Sequence, residues 1–500
     1  MTLATPYQQL EARMARLNAV REASEVLFWD MSAMMPSGGH AARGEQLAVL
    51  GEIAHEMLTA PDMADLIGAA EIDGSLDHWQ RANLNEIKSR WKKATALTGD
   101  QVAALSRAST TCEAKWRRAR EDKDFAAVLP ELQTLLDLVH ETGQAKAEAQ
   151  GLTLYDALLD DFEPGGRCAD IDVLFDDLAA FLPDFLGRVL EKQAAEPAIL
   201  TPEGPFPVEK QRGLGVRLME AVGFDFDNGR LDVSLHPFCG GVPDDVRITT
   251  RYDEADFTSS LMGVLHETGH AMYERGLPAD RRGQPVGEAL GMSIHESQSL
   301  LIEMQVCRSG AFLDFAAPIM CETFGGSGPA WETENLTRLY SRVKPGFIRV
   351  DADEVTYPAH VILRYRLERA MLAGDLALKD LPGAWNDGMN DLLGIQPPDD
   401  ALGCLQDVHW YDGAWGYFPT YTLGAMTAAQ LYAAANEQID GLADSIRVGD
   451  FKPLMAWLRK HVHGRGRSVD ARTMLTDATG SPLDASVFKA HLERRYLGSE

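Results

Sequence analysis

Two histidines four residues apart form the strongest chemical signal in the chain. They belong to the pentamer His266-Glu-Thr-Gly-His270, and in an α-helix both imidazoles lie on one face, where they can bind one metal ion. Asp256 is a suitable N-cap for that helix, and Gly276 followed by Pro278 is a stop signal. The alternatives are chance occurrence among 13 histidines, or a pair of hydrogen-bonded core histidines.

A third metal ligand is expected from another element. A catalytic zinc ion keeps three protein ligands and one open position. The next helical segment, 287–306, contains His295-Glu-Ser-Gln-Ser299. Either His295 or Glu296 can serve, but not both, because neighbouring residues on a helix point about a hundred degrees apart. Spacing alone leaves this choice open.

Two histidines and one carboxylate are a common ligand set in zinc enzymes that hydrolyse amides. Zinc lowers the pKa of a bound water to about 7 and polarises the scissile carbonyl. Glu267, inside the pentamer, would take a proton from the attacking water and return it to the leaving amine. A surface salt bridge is the alternative role for Glu267. The pattern predicts a metal-dependent peptidase, with Zn²⁺ as the metal and Co²⁺ or another divalent ion as possible substitutes.

The elements that must position these residues are mostly helical. In 7–147, apolar residues recur at three- and four-residue spacing, as in Leu10, Met14, Leu17 and Val20. In 231–252 apolar and polar residues alternate around a turn at 240–243, which predicts a small β hairpin. Helical periodicity resumes near Asp256 and continues to the C-terminus. The Gly- and Pro-rich breaks at 163–167 and 197–207 separate subdomains of one unit.

Composition restricts the class of protein. The 500 residues carry 47 basic and 75 acidic side chains, a net charge of −28, which disfavours nucleic-acid and anionic-membrane partners. The N-terminus lacks a secretory signal and no apolar run reaches about 18 residues, so a cytoplasmic location is expected. The six cysteines form no C-x-x-C pair and are predicted to stay reduced and structural.

The sequence resembles the thermostable carboxypeptidase family, the zinc metallocarboxypeptidases of the Taq type, because it contains six short motifs of that family in the same order. The segments around Leu27-Phe-Trp-Asp30 and Met34-Met-Pro36 are also similar to the family. The six motifs are His236-Pro-Phe238, Asp245-Val-Arg-Ile-Thr249, the pentamer, His295-Glu-Ser-Gln298, Ile348-Arg-Val-Asp-Ala-Asp353 and Gly403-Cys-Leu-Gln-Asp-Val-His-Trp410.

The resemblance implies a fold, an activity and a third ligand. In this family the Glu of His-Glu-Ser coordinates the metal, here Glu296, and His295 becomes a supporting or packing residue. The implied fold is one mainly α-helical unit with a deep central groove, similar to neurolysin and angiotensin-converting enzyme. Residues 1–207 would roof the groove and residues 208–500 would form the catalytic subdomain, with a homodimer as the assembly. The implied activity is removal of single amino acids from peptide C-termini with broad specificity.

A carboxypeptidase needs a cation for the free carboxylate of its substrate, and family likeness points to Arg349. The alternative is a buried Arg349–Asp pair that holds helices together. The hairpin, with His236 and Arg247, is predicted to bind substrate by offering its edge to an extended peptide. Arg247 is equally well explained as a structural partner of a carboxylate.

Downstream aromatic residues complete the predicted site. Similar helical zinc peptidases use a His or Tyr from such a segment to donate to the oxyanion, and His409 and Tyr421 are predicted here, with Tyr417 in substrate binding. An ordinary aromatic core is the alternative for both tyrosines. Two rival functions remain: an endo-oligopeptidase with the same zinc centre, and a catalytically inactive binding protein, against which the intact pentamer and Glu296 count.

Overall fold

Helices dominate the computed structural model, which describes residues 4–498. Within this range the chain forms twenty α-helices and one three-stranded sheet. The predicted class, mainly α with a small sheet beside the helix of the pentamer, is confirmed. No helix of residues 4–498 combines the length and the apolar character that a membrane crossing requires.

The first four helices enclose a hydrophobic core of their own. Helix α1 starts with a capping box, in which the Thr5 hydroxyl accepts from the Gln8 backbone N–H and the Gln8 side chain accepts from that of Thr5. Leu10, Met14 and Leu17 are buried at the predicted spacing. These helices are α1 (Pro6–Ala33), α2 (His40–Leu58), α3 (Met63–Glu71) and α4 (His78–Thr95).

A second, larger core begins in helix α5 and runs through the remainder of the chain. The predicted breaks at 163–167 and 197–207 lie on either side of α8. All six cysteines are free thiols. The division into subdomains at residue 207 stays a prediction. The helices before the sheet are α5 (Gly99–Asp122), α6 (Leu129–Gln150), α7 (Leu154–Leu159), α8 (Cys168–Ala195) and α9 (Val208–Val222).

The sheet holds one strand more than the predicted hairpin. Strand β3 (Asp245–Thr250) is central, antiparallel to β2 (Phe238–Val242) and parallel to β1 (Gly229–Val233). The hairpin is β2 with β3, and its turn falls at 243–244 rather than 240–243, because Gly240 and Gly241 pair inside the ladder. The predicted first arm, with Val233 and Leu235, lies at the end of β1 and just after it, whereas β2 overlaps the predicted turn. Alternation also could not show that β1 pairs with β3 in parallel. Strands β2 and β3 pack on helix α10.

Helices α10 (Phe257–Gly276) and α11 (Met292–Leu300) carry the two chemical motifs. As predicted, the Asp256 side chain caps α10 by accepting from Thr258 N–H at 2.8 Å, and the helix ends at Gly276. Helix α11 continues as a π-helix, Leu301–Cys307, a rare element that often marks functional sites. The remaining helices are α12 (Gly310–Phe324), α13 (Thr333–Tyr340), α14 (Tyr357–Ala373), α15 (Leu381–Leu393), α16 (Pro419–Gln438), α17 (Leu442–Arg447), α18 (Lys452–His461), α19 (Ala471–Thr479) and α20 (Ala485–Leu492).

Candidate metal centre

Helices α10 and α11 bring His266, His270 and Glu296 to one point. Among the His, Cys, Asp and Glu side chains of residues 4–498, these three bring their potential ligand atoms within 4.8 Å of one another. Oε2 of Glu296 lies 3.4 Å from Nε2 of His270 and 3.9 Å from Nε2 of His266. Ligand atoms around a tetrahedral zinc ion stand about 3.3 Å apart. Two nitrogens and one carboxylate oxygen within this distance are close enough to bind one divalent ion together.

Hydrogen bonds to the Nδ1 atoms turn both imidazoles toward this point. His266 Nδ1 lies 2.9 Å from Oε2 of Glu303, whose other oxygen accepts from Arg308. His270 Nδ1 lies 3.0 Å from the main-chain oxygen of His295. Each bond turns Nε2 of its ring toward the metal position, the arrangement in which metal-binding histidines are usually held.

The structure places Glu296, and not His295, beside the two Nε2 atoms. The ring of His295 instead lies against His270, with its Nε2 2.9 Å from Oε1 of Glu274. Glu267, the next residue to His266, is buried. The general-base candidate thus lies in the same buried region as the three ligand candidates.

Two glycines allow the helices to approach closely enough for this cluster. A Cβ on Gly269 would lie 2.4 Å from the main-chain oxygen of Gln298, so α10 and α11 touch backbone to backbone there. A Cβ on Gly424 of helix α16 would lie 2.8 Å from the Cβ of Glu296. Any larger residue at either position would push one ligand-bearing helix away from its neighbour.

Burial and neighbouring charges set the protonation of the centre. Burial raises the pKa of Glu267 to about 7, a value suited to a group that must accept and return a proton near neutral pH. Burial opposes ionisation of Glu296 as well, but the two histidines bring its pKa down to about 2, so that it stays an anionic ligand candidate. The pKa of His270 falls to about 4 through burial and the neighbouring His295, which keeps its imidazole neutral.

His266 differs from His270 in its charge. Burial lowers its pKa, but Glu296 and the hydrogen bond to Glu303 raise it, and the net value is about 10. Its Nε2 must therefore release a proton when it binds a metal ion. Metal binding at this centre is expected to compete with protons and to weaken as the pH falls.

A buried cationic cluster accompanies the metal centre. Arg349 donates to both oxygens of Asp407, from Nε at 3.1 Å and from Nη2 at 2.9 Å. Arg364, fully buried, donates from Nε to the same carboxylate at 2.8 Å. The alternative structural pair of Arg349 thus exists, but one carboxylate serves two guanidinium groups. The cluster keeps an excess of one positive charge, and Arg349 helps to lower the pKa of Glu296.

His409, Tyr417 and Tyr421 stand together beside this cluster. Nε2 of His409 lies 3.1 Å from the Tyr421 hydroxyl, and the two tyrosine rings pack edge to face at 5.2 Å. The Arg349 guanidinium lies 4.4 Å from the centre of the Tyr421 ring. Burial lowers the pKa of His409 to about 4, so its imidazole is neutral. The three residues form one aromatic patch and share the neighbourhood of Arg349.

The two remaining predicted residues lie at the sheet. His236 is exposed in the loop between β1 and β2. Arg247 on β3 pairs with Asp245 of its own strand at 2.6 Å and lies 4.2 Å from the centre of the Trp29 ring of helix α1. Those contacts match the structural alternative for Arg247. The roles of His236 and Arg247 in substrate binding stay predictions.

The sequence interpretation missed four residues around the centre. Glu303 follows Glu296 by seven residues, a helical repeat that could have identified it. Asp407 stands two residues before His409 in an already recognised motif. No sequence signal marked Arg364, or Tyr357, whose ring lies 6.2 Å from that of Tyr421. These last two reach the centre through packing between distant segments.

Comparisons with known proteins find similar chains over almost the whole length of this one. The family model described as carboxypeptidase Taq (M32) metallopeptidase matches residues 9–496. Thermostable carboxypeptidase 1 of Thermus thermophilus is 36% identical over 99% of both chains, and carboxypeptidase 1 of Bacillus subtilis is 34% identical over 96% of both. Among solved structures, Trypanosoma cruzi metallocarboxypeptidase 1 matches with a TM-score of 0.96 and 42% identity, covering 98% of this chain and 99% of that one.

Proposed function

The chain belongs to the carboxypeptidase Taq (M32) family of metallocarboxypeptidases, and we propose that zinc is its metal, held by His266, His270 and Glu296. The observation that carries this proposal is the convergence of the three ligand atoms within 4.8 Å. Two imidazoles and a carboxylate suit zinc, and Co²⁺ or another divalent ion suits the same donors. When bound, the ion supplies Lewis acidity, which makes water more acidic and polarises the scissile carbonyl.

Glu267 is the general base in this proposal. Its buried carboxylate takes a proton from the attacking water and later delivers it to the leaving amine. His409 and Tyr421 donate hydrogen bonds to the oxyanion that develops on the substrate carbonyl. One of these two groups donates to the other at 3.1 Å, so that proton must turn to the oxyanion when the substrate binds.

Arg349 anchors the free carboxylate of the substrate. The excess positive charge of the Arg349, Arg364 and Asp407 cluster gives an incoming carboxylate a favourable site, and Asp407 fixes the plane of the guanidinium. Tyr417 lines the same space. Anchoring of the terminal carboxylate places the last peptide bond, and no other, at the metal, so that single residues are released.

The peptide main chain binds along the edge of the sheet. Strand β2 is an edge strand, so an extended peptide can pair with it by main-chain hydrogen bonds. Such pairing places little demand on substrate side chains, which accounts for a broad specificity. The exposed His236 lies next to this edge.

The test compares a blocked peptide that has a free C-terminus with its amidated twin. Stepwise, chelator-sensitive release of amino acids from the free-acid peptide alone, restored by Zn²⁺ or Co²⁺, is the expected result. Cleavage of both peptides at internal bonds would keep the metal centre but reject Arg349 as the carboxylate anchor, in favour of an endo-oligopeptidase. No cleavage with any divalent ion would favour a binding protein.

A substitution then separates chemistry from metal binding. Glu267→Gln is expected to lower kcat by a factor of about 100 or more, since general acid–base groups contribute about 10²- to 10⁴-fold. Its affinity for zinc should equal that of the wild type, because Glu267 is not among the ligands. Unchanged kcat in this variant would reject Glu267 as the base. A homodimeric state and a cytoplasmic location remain predictions, and sedimentation velocity would measure the first of these.

A further inference from the structure

His295 stands between a metal-ligand candidate and a carboxylate. Its Nδ1 lies 2.7 Å from Nδ1 of His270, and its Nε2 lies 2.9 Å from Oε1 of Glu274. The rings of His270 and His295 are 4.5 Å apart between centres. Glu274 follows His270 by one helical turn on α10, and its side chain is 26% exposed at the outer end of this row.

Only one distribution of protons along this row leaves His270 free to bind a metal. At 2.7 Å one Nδ1 must donate and the other must accept. If His270 binds the ion through Nε2, its proton is on Nδ1, where it points to Nδ1 and the main-chain oxygen of His295. His295 then carries its own proton on Nε2 and donates it to Glu274. In the reversed order Nε2 of His270 carries the proton, and no lone pair remains there for the ion.

We propose that Glu274 is a positioning residue of the metal centre, which fixes the metal-binding tautomer of His270 through His295. An ionised carboxylate only accepts hydrogen bonds, so it requires a proton on Nε2 of His295 and excludes the reversed order. This inference rests on the proposed metal ligands. It assigns roles to Glu274 and to His295, neither of which binds the ion.

The two histidine ligands are therefore oriented by different means. A carboxylate, Glu303, contacts Nδ1 of His266 directly, whereas for His270 the carboxylate acts through an intervening imidazole. Loss of such supporting groups in other metal sites weakens metal affinity about 10- to 100-fold. The main-chain oxygen of His295 still accepts from His270 without Glu274, so the lower part of that range is expected here.

The decisive variant is Glu274→Gln in the full chain. It preserves size but offers His295 a donor as well as an acceptor, so both proton orders become available. We expect its dissociation constant for Co²⁺, measured by competition with a chelator, to rise about 10-fold. Glu274→Asp keeps an acceptor-only group and should bind Co²⁺ more tightly than the Gln variant. Glu334→Gln, the same chemical change at an exposed site, should bind Co²⁺ as the wild type does.

Nitrogen NMR of the histidine rings in the metal-free chain reads the tautomer itself. The wild-type His270 signal, assigned by its loss in His270→Ala, should show the proton on Nδ1, and Glu274→Gln should shift it toward Nε2. A Glu274→Gln protein with wild-type Co²⁺ affinity and an unchanged His270 tautomer would overturn the proposal. If His266→Ala and His270→Ala also bound Co²⁺ normally, the proposed metal ligands themselves would be wrong.

Discussion

Gly269→Ala tests whether close packing of helices α10 and α11 builds the metal centre. The added Cβ would lie 2.4 Å from the main-chain oxygen of Gln298 and 2.6 Å from the Cα of Ser299. Both obstacles are backbone, so a side-chain rotation cannot relieve them, and the helices must move apart. An ordinary contact between these atoms is near 3.4 Å, so the separation grows by up to about 1 Å.

This displacement acts on the ligand geometry. His266 and His270 would move away from Glu296. This matters because zinc sites tolerate only about 0.2 Å of change in ligand distance. We expect the zinc dissociation constant to rise at least about 10-fold, which corresponds to about 1.4 kcal/mol. Overpacking costs about 1–3 kcal/mol of unfolding free energy. Isothermal titration and denaturant unfolding of the metal-free protein measure the two effects separately.

Gly263→Ala on the same helix is the matched control. A Cβ at Gly263 meets nothing within 4 Å, so this variant gains the helix propensity of alanine, about 0.5–1 kcal/mol, without a clash. Gly269→Ala gains the same propensity, so the two variants should differ by the packing cost alone, about 1–3 kcal/mol in stability. If Gly269→Ala matched Gly263→Ala in both stability and zinc affinity, the packing explanation of the site would fail.

Two further predictions concern buried charges. Asp407→Asn should lower the unfolding free energy by about 3 kcal/mol or more, because two buried guanidinium groups lose their charged partner. Chemical denaturation measures this loss, and a loss below about 1 kcal/mol would contradict the prediction. Burial opposes ionisation of Glu354, but Arg495 and His491 hold its pKa well below the ordinary value. Its stabilisation is therefore present above the unfolded pKa of about 4.3 and is lost as the pH falls below it. Glu354→Gln should be less stable than the wild type at neutral pH and should lose less stability on acidification. Equal slopes of unfolding free energy against pH for the two proteins, between about pH 6 and 3, would refute this.

Local signals in the sequence were sufficient for the helices and for the pentamer. The Asp256 cap, the Gly276 stop and the spacing of Leu10, Met14 and Leu17 predicted elements that the structure contains. These features depend on residues within one or two helical turns of each other. The hairpin was predicted only in part, because β1 pairs with β3 across a connection that alternation cannot describe.

The sequence by itself determined the helical class, the pentamer and, through ordered motifs, the family. Tertiary structure decided how the residues meet. Spacing left His295 and Glu296 as equal candidates, and the family resemblance implied Glu296. The crossing of α10 with α11 at Gly269 places Glu296 beside the two histidines and turns His295 toward Glu274. Likewise, Arg364 of α14 and Arg349 of the turn before that helix meet Asp407 only because both pack against the segment before α16. Contacts between elements depend on how whole faces fit, and no local pattern of residues encodes them.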